Sequence, residues 1–386
     1  MSIKTRTRSQ WCSIIFVGAI AWIGTTASAN NPEPNRSRHF PHPTSVSQTF
    51  AERTELPHGV AGDLFLVFTT EPLAGNVIAF NRYLGTEKLH IPAPPGGFSL
   101  PFQVKTPYPG RLVVLDSGGF PDPSGFATPK IYDYDYFWSY PSNSWVFNLV
   151  RTVDFSGIPI GFSEDFSITQ GNTYILSDSV LGALWLVQAD GSIVPGIVPQ
   201  SPAPEHAIPE LSACPSTPIM IGDTPFDIVG GFAPGVGFST VHEDFLYFGS
   251  TCTGGLARVE VSVFFDSRPS HERVDAIEVV SPRPPNIIES LKSPVFRDGD
   301  DRVYVADTFN FRILRIDVDT GHREVIAEDP QLFNFPVSLA FLPKVFGSQP
   351  LITVSDQEQN FAAINAAIPA DQFELPFRIT RTWIRY

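Results

Sequence analysis

The chain has 386 residues, a formal net charge of −14 at pH 7, 37 prolines, 29 glycines, 32 phenylalanines and 2 methionines. That length exceeds an average domain but suits a single large all-β unit, and so many aromatics and turn formers call for numerous short strands rather than long helices. The acidic balance repels phosphate backbones and anionic lipid, which argues against nucleic acid or membrane surfaces as partners.

Residues 1–29 read as a secretory signal. Lys4, Arg6 and Arg8 form a basic start, Trp11 to Gly24 is an apolar stretch too short to span a bilayer comfortably, and Ala27-Ser28-Ala29 fits a cleavage site. A retained anchor is the alternative. Cleavage removes three positive charges and no acid, taking −14 to −17. No later apolar run is long enough to span, so the mature chain is expected to be secreted, extracellular or periplasmic, and monomeric. Residues 30–49 are polar, Pro-rich and without periodicity, the composition of a disordered leader. Asn35-Arg36-Ser37 within them fits a glycosylation acceptor pattern. The folded domain is then 50–386.

From there the chain repeats itself. Six largely apolar runs end in a small polar or acidic residue: LVFTT (66–70), LVVLD (112–116), YILSD (174–178), LYFGS (246–250), VYVAD (303–307) and ITVSD (352–356). Most are followed by a turn and an alternating strand: NVIAFN (76–81), KIYDYD (130–135), ALWLVQ (183–188), LARVEV (256–261) and ILRIDV (313–318). Most are preceded by a short strand: PHGVA (57–61), PFQVK (101–105), FSEDFSI (162–168), GVGFST (235–240), SPVF (293–296) and PVSLAF (336–341). One such unit cannot bury both faces alone, so six copies predict a closed ring, an all-β six-bladed β-propeller. Residues 198–218 form the longest gap and are expected to loop over one face. Cys12 leaves with the signal. Cys214 and Cys252 remain, and in an exported chain a disulfide between them is expected.

Asp116, Asp178, Asp307 and Asp356 close four of the six runs, and Thr70 and Ser250 close the others. An acid at a strand end accepts bonds from backbone N–H groups of the next turn. A residue repeated around a ring is explained better by blade architecture than by one active site, so these acids are expected to hold turns. Asp317-Val318-Asp319-Thr320-Gly321 and Asp298-Gly299-Asp300-Asp301 read as turns rather than calcium loops. IYDYDYFWSY (131–140) reads as strand and core.

No nucleophile elbow, zincin helix, phosphate loop or dinucleotide fingerprint is present. In a propeller the inner strands line the channel, so their polar residues are the candidates for binding: His58, Gln103, Glu164, Asp165, Ser239, Ser293 and Ser338. Glu164 leads, since Phe-Ser-Glu-Asp-Phe puts a carboxylate pair on an apolar inner strand. Alternation lets only one of Glu164 and Asp165 face the channel. Such a carboxylate suits a metal ion, a general base or an amine partner.

RLVVLDSG with PKIYDYD (111–118, 129–135) resembles a blade of the yellow / major royal jelly protein family. LPHGVAGDLFLVF (56–68), YILSDSVLGALWLV (174–187), GFSTVHEDFLYFGSTCTGGLARV (237–259), EDPQLFNFPVSLAF (328–341) and ITVSDQEQ (352–359) follow in that family's order. The arrangement is more distantly similar to the gluconolactonase / senescence marker protein superfamily and to NHL-repeat propellers. The first likeness implies a secreted propeller binding a small aromatic or cationic molecule in its channel, with dopachrome-tautomerase-like conversion among the activities. The second implies a metal-dependent lactonase or esterase with calcium or another divalent ion on a Glu, a role that Glu164 matches by strand position. The Asn-bearing inner strands of that pattern are missing here. The third implies a non-catalytic propeller that binds a protein partner.

Overall fold

The computed structural model describes residues 44–83, 87–119, 127–198, 214–216, 218–229, 235–344 and 348–384. The signal and the glycosylation pattern lie outside the described residues. Six four-stranded antiparallel sheets form the blades of a β-propeller, and the only helical pieces among the described residues are short 3-10 turns. Each blade runs from the channel outward in chain order. Blade 1 is Val60–Gly62, Leu66–Glu71, Asn76–Asn81 and Lys88–His90. Blade 2 is Pro101–Lys105, Arg111–Asp116, Lys130–Ser139 and Ser144–Asp154. Blade 3 is Phe166–Ile168, Tyr174–Ser177, Leu184–Val187 and Ile193–Ile197. Blade 4 is Phe238–His242, Phe245–Gly249, Leu256–Glu260 and Glu278–Ser281. Blade 5 is Leu291–Phe296, Arg302–Asp307, Arg312–Asp317 and Arg323–Glu328.

Blade 6 closes the ring. Its inner three strands are Pro336–Phe341, Gln349–Ser355 and Phe377–Ile384, and its outer strand is Thr44–Phe50 from the other end of the chain. The leader therefore does not extend to residue 49. Thr44–Phe50 looks like leader because an outer strand needs few apolar residues. Only Phe50 is fully buried, against Val354, Phe377 and Ile379. Joining both chain ends in one sheet removes the free edges that would otherwise open the ring.

The repeated apolar runs are second strands, pressed between neighbouring blades and buried on both faces. Six interfaces follow each other around the ring. Phe68 and Val77 meet Leu112 and Tyr134. Leu115 and Ile131 meet Phe166 and Tyr174. Ile175 and Leu184 meet Leu246 and Phe248. Phe238 and Leu256 meet Val303 and Leu314. Tyr304 and Ile313 meet Leu339 and Leu351. Val337 and Ile352 meet Val60 and Ile78. Tyr132, Tyr134 and Tyr136 of the aromatic stretch are buried in the second and third strands' core, while Phe137 and Trp138 are exposed.

The strand-end acids do more than hold the next turn. Asp116 accepts from the N–H groups of Ser99 (2.7 Å), Leu100 (2.8 Å) and Gly118 (3.0 Å). Asp178 accepts from Gly161 (2.9 Å), Val180 (3.0 Å) and Leu181 (2.9 Å). Asp307 accepts from Ser290 N–H (3.3 Å), Asn310 Nδ2 (2.9 Å) and Arg312 Nε (2.7 Å). Thr70 takes the same place with Gly59 N–H at 2.8 Å. Each ties the chain entering the inner strand to the turn leaving the second strand, so it fixes the face of the propeller where both lie.

Most of the stretch 198–218, expected to loop over one face, lies outside the described residues, and only the later part of the connection between blades 3 and 4 is described. That part forms a hairpin over the strand-end face, Ile219–Ile221 with Thr224–Phe226, whose Phe226 packs on Phe309 and Phe335. Asp227 N–H and Val229 N–H bond Asn365 Oδ1 and Ile364 O at 2.9 and 2.7 Å, and Cys214 is bonded to Cys252 at the blade 4 end.

Candidate functional site

The same face gathers a buried polar cluster over the channel. His58 comes from the segment before the inner strand of blade 1, and Lys292 from the inner strand of blade 5. Asp356 and Glu358 come from the turn after the second strand of blade 6, and Glu164 from the segment before the inner strand of blade 3. His58 Nδ1 lies 2.7 Å from Asp356 Oδ2 and 3.9 Å from Glu358 Oε1. Lys292 Nζ donates to Glu358 Oε2 at 3.0 Å, with the Phe335 ring 5.7 Å below the ammonium.

Local backbone explains how these side chains reach one point. Ser293 has φ +50°, and the pairing register of its strand breaks between Lys292 and Val295. Such a bulge re-aims a neighbouring side chain, here Lys292. Gln357 at φ +59° starts the 3-10 turn Glu358–Asn360, and Asp356 Oδ1 caps it through Glu358 N–H at 3.2 Å. A Cβ at Gly235 would stand 2.0 Å from Ser179 O, so only glycine lets the chain entering blade 4 pass so close to the Asp178 turn.

Asp356 thus departs from its three counterparts. It holds its turn, but its other oxygen takes the His58 ring nitrogen, so its role is not architecture alone. Regular strand geometry starts only at Phe166, so strand alternation does not govern Glu164 and Asp165, and the two carboxylates take different partners. Asp165 pairs with Lys105 Nζ at 2.9 Å and accepts from Ser239 N–H at 2.9 Å. Gln103 Oε1 accepts from Val104 N–H at 2.9 Å. Ser338 accepts from Val60 N–H at 3.0 Å, Ser293 from Leu339 N–H at 2.9 Å, and Ser239 bonds Ser167 at 2.8 Å. Asp165 and the serines are therefore ties among inner strands, Gln103 bonds within its own strand, and His58 and Glu164 belong to the cluster.

Lys292 and Glu358 escape a sequence reading. Lys292 stands one residue before SPVF, and Glu358 lies inside ITVSDQEQ without period or motif to mark it. A lysine abutting an inner strand was the available signal.

Burial drives the protonation of the cluster. It lifts Glu164 to about 7, with Lys292 pulling down and Glu358 pushing up. It lifts Asp356 to about 7 against the pull of Lys292, and raises Glu358. It also pushes His58 far below its ordinary value, so the imidazole is neutral. Burial alone would lower Lys292, but Glu358, Glu164 and Asp356 outweigh it and hold the ammonium charged. The Asp356 contact engages Nδ1 of His58 and leaves Nε2 on the far side of the ring. Two carboxyls titrate near neutral pH beside a neutral imidazole and a fixed cation, the equipment of general acid–base chemistry.

A cavity of about 520 Å³ opens at the other end of the inner strands, lined by Asp63, Tyr108, His242, Phe296 and Gln349 among others. Gln103 and Ser293 reach its floor, but none of His58, Glu164, Lys292, Asp356 and Glu358 lines it.

Could a divalent ion sit in the cluster? His58, Asp356 and Glu358 place one ligand atom each within 4.8 Å of one another, and Glu164 is not in that group. A calcium ion takes six to eight oxygens, and this set offers two carboxylates and an imidazole. The Lys292 ammonium already lies on Glu358. A divalent ion roughly 4 Å from it meets a repulsion of about 8 kcal/mol at an effective dielectric of about 20. Among the described residues of the cluster the group able to hold an ion is therefore His58, Asp356 and Glu358, Glu164 lies outside it, and the Lys292 charge opposes an ion there.

Fold and cluster together define a six-bladed β-propeller with a polar site at one mouth of its channel. Solved structures agree on the fold. A luciferin-regenerating enzyme superposes with TM-score 0.52 at 10% identity over 88% of this chain and 95% of its own. The major allergen Mala s 1 of Malassezia sympodialis gives 0.53 at 12% over 87% and 92%. A protein of unknown function from Bacteroides thetaiotaomicron gives 0.52 at 10% over 88% and 75%. At such identities the likeness shows the fold alone. No family model and no curated relative matches the chain. Among the described residues no helix is long and apolar enough to cross a membrane.

Proposed function

We infer that this is a secreted propeller that binds a small organic molecule, aromatic or cationic, at the cluster and moves a proton on it. The observation that carries the reading is the convergence of His58, Asp356, Glu358, Lys292 and Glu164 from four blades at one buried point. Glu164, which titrates near 7, takes the proton as a carboxylate, while neutral His58, held by Asp356, orients the ligand. Lys292 steadies the oxyanion that forms as the proton leaves. Glu164, which keeps some solvent exposure, returns a proton to a second atom of the ligand. One cation facing several carboxyls disfavours anionic ligands and welcomes an amine. The yellow-like resemblance points to the same ligands, and a tautomerisation needs no other reagent. A metal-dependent lactonase or esterase is disfavoured by Lys292, for the charge reason given above.

The test is a panel of catecholamines, indoleamines and aminochromes. Wild-type protein is expected to gain thermal stability with at least one member and to accelerate aminochrome tautomerisation, followed by absorbance. Glu164→Gln is expected to keep the thermal shift and lose conversion by about 100-fold or more. Wild-type protein that responds to no member of the panel, or conversion unchanged in Glu164→Gln, refutes the reading.

A further inference from the structure

The cage of His58, Asp356 and Glu358 has the donors of a transition-metal site and a lysine in attendance. We propose that Lys292 takes the place of a divalent metal ion in this channel, so that the site works with a built-in ammonium and accepts a metal only when that ammonium is removed. Three observations carry this. The Lys292 side chain crosses from blade 5 to Glu358 of blade 6 and is only 10% exposed, so its charge stays inside. The strand bulge at Ser293 serves to aim it there. His58, Asp356 and Glu358 are otherwise close enough to chelate, and their mixture of one imidazole and two carboxylates suits zinc or manganese better than calcium. An ammonium supplies one positive charge with three directed N–H donors and cannot exchange with the medium. A metal would supply two charges and open coordination positions. The inference is independent of which molecule the site converts, since metal binding is read without any ligand.

Isothermal titration of the purified, chelator-treated protein with zinc, manganese and calcium chloride tests it. Wild type is expected to show no saturable site at concentrations below about 1 mM. Lys292→Met is expected to gain one site per chain for zinc or manganese, at least 100-fold tighter than wild type. The double substitution Lys292→Met with His58→Gln is expected to lose it again. Lys292→Gln, which keeps a donor for Glu358, serves if the methionine variant does not fold, and near-ultraviolet circular dichroism reports folding. A wild-type chain that binds one equivalent of a divalent ion with micromolar affinity overturns the proposal. So does a folded Lys292→Met or Lys292→Gln variant that stays blind to all three metals.

Discussion

Lys292→Met should destabilise the propeller in proportion to pH. Glu164 and Asp356 have folded pKa values raised to about 7, from ordinary values of 4.5 and 3.8. A carboxyl with a raised folded pKa contributes stability in full below its unfolded pKa, and the contribution fades as pH climbs through the folded one. Wild type therefore loses stability between roughly pH 4 and pH 7 on account of these groups, and levels off above. Lys292 lowers both values, so without it they rise further and the loss continues into the alkaline range. The slope is about 1.4 kcal/mol per pH unit per carboxyl, or about 4 kcal/mol for two of them between about pH 7 and 8.5. The partial exposure of Glu164 trims that to about 3 kcal/mol. Near pH 5.5 both carboxyls carry protons, and the deficit shrinks to the broken ion pair with Glu358, about 3 kcal/mol, to which the carboxyl loss adds at higher pH. Urea unfolding of both proteins at about pH 5.5, 7 and 8.5, with chelator present to keep metal away, measures the difference at constant m. A deficit of equal size at all three pH values would show that Lys292 is not the counter-ion of these carboxyls.

Asp178→Ala strips the partner from three backbone N–H groups that lie under the hairpin face, and a loss of about 2–4 kcal/mol in urea unfolding is expected. Asp307→Ala is expected to lose about 2–3 kcal/mol, more than a single turn bond, because Arg312 and Asn310 also depend on it. A change under about 0.5 kcal/mol in either variant would contradict the bonding described. Deleting residues up to Phe50 exposes the edge Phe377–Ile384 and the core beneath Phe50, so size-exclusion chromatography should show association or aggregation rather than a monomer. Reducing the Cys214–Cys252 bond, which spans a sequence separation of 38, should lower stability by about 3–4 kcal/mol, and an unchanged urea midpoint would deny it any constraint on the unfolded chain.

What the sequence determined by itself was the ring. Apolar runs such as VYVAD and YILSD are continuous because second strands are buried on both faces, and that requirement acts locally, residue by residue, where composition records it. The turn acids Asp116, Asp178 and Asp307 were legible for the same reason, since a strand end needs its acceptor close in the chain. Only tertiary structure decided three further matters. Thr44–Phe50 became a strand of this ring because Phe377–Ile384, more than three hundred residues away, offered it an edge. Asp356 left the company of the turn acids because His58, nearly three hundred residues away, stands against it. Lys292 and Glu358 became a pair across two blades, and their charge balance with Asp356 and Glu164 is set by burial and distance. Both are properties of the closed ring, which no window of sequence contains.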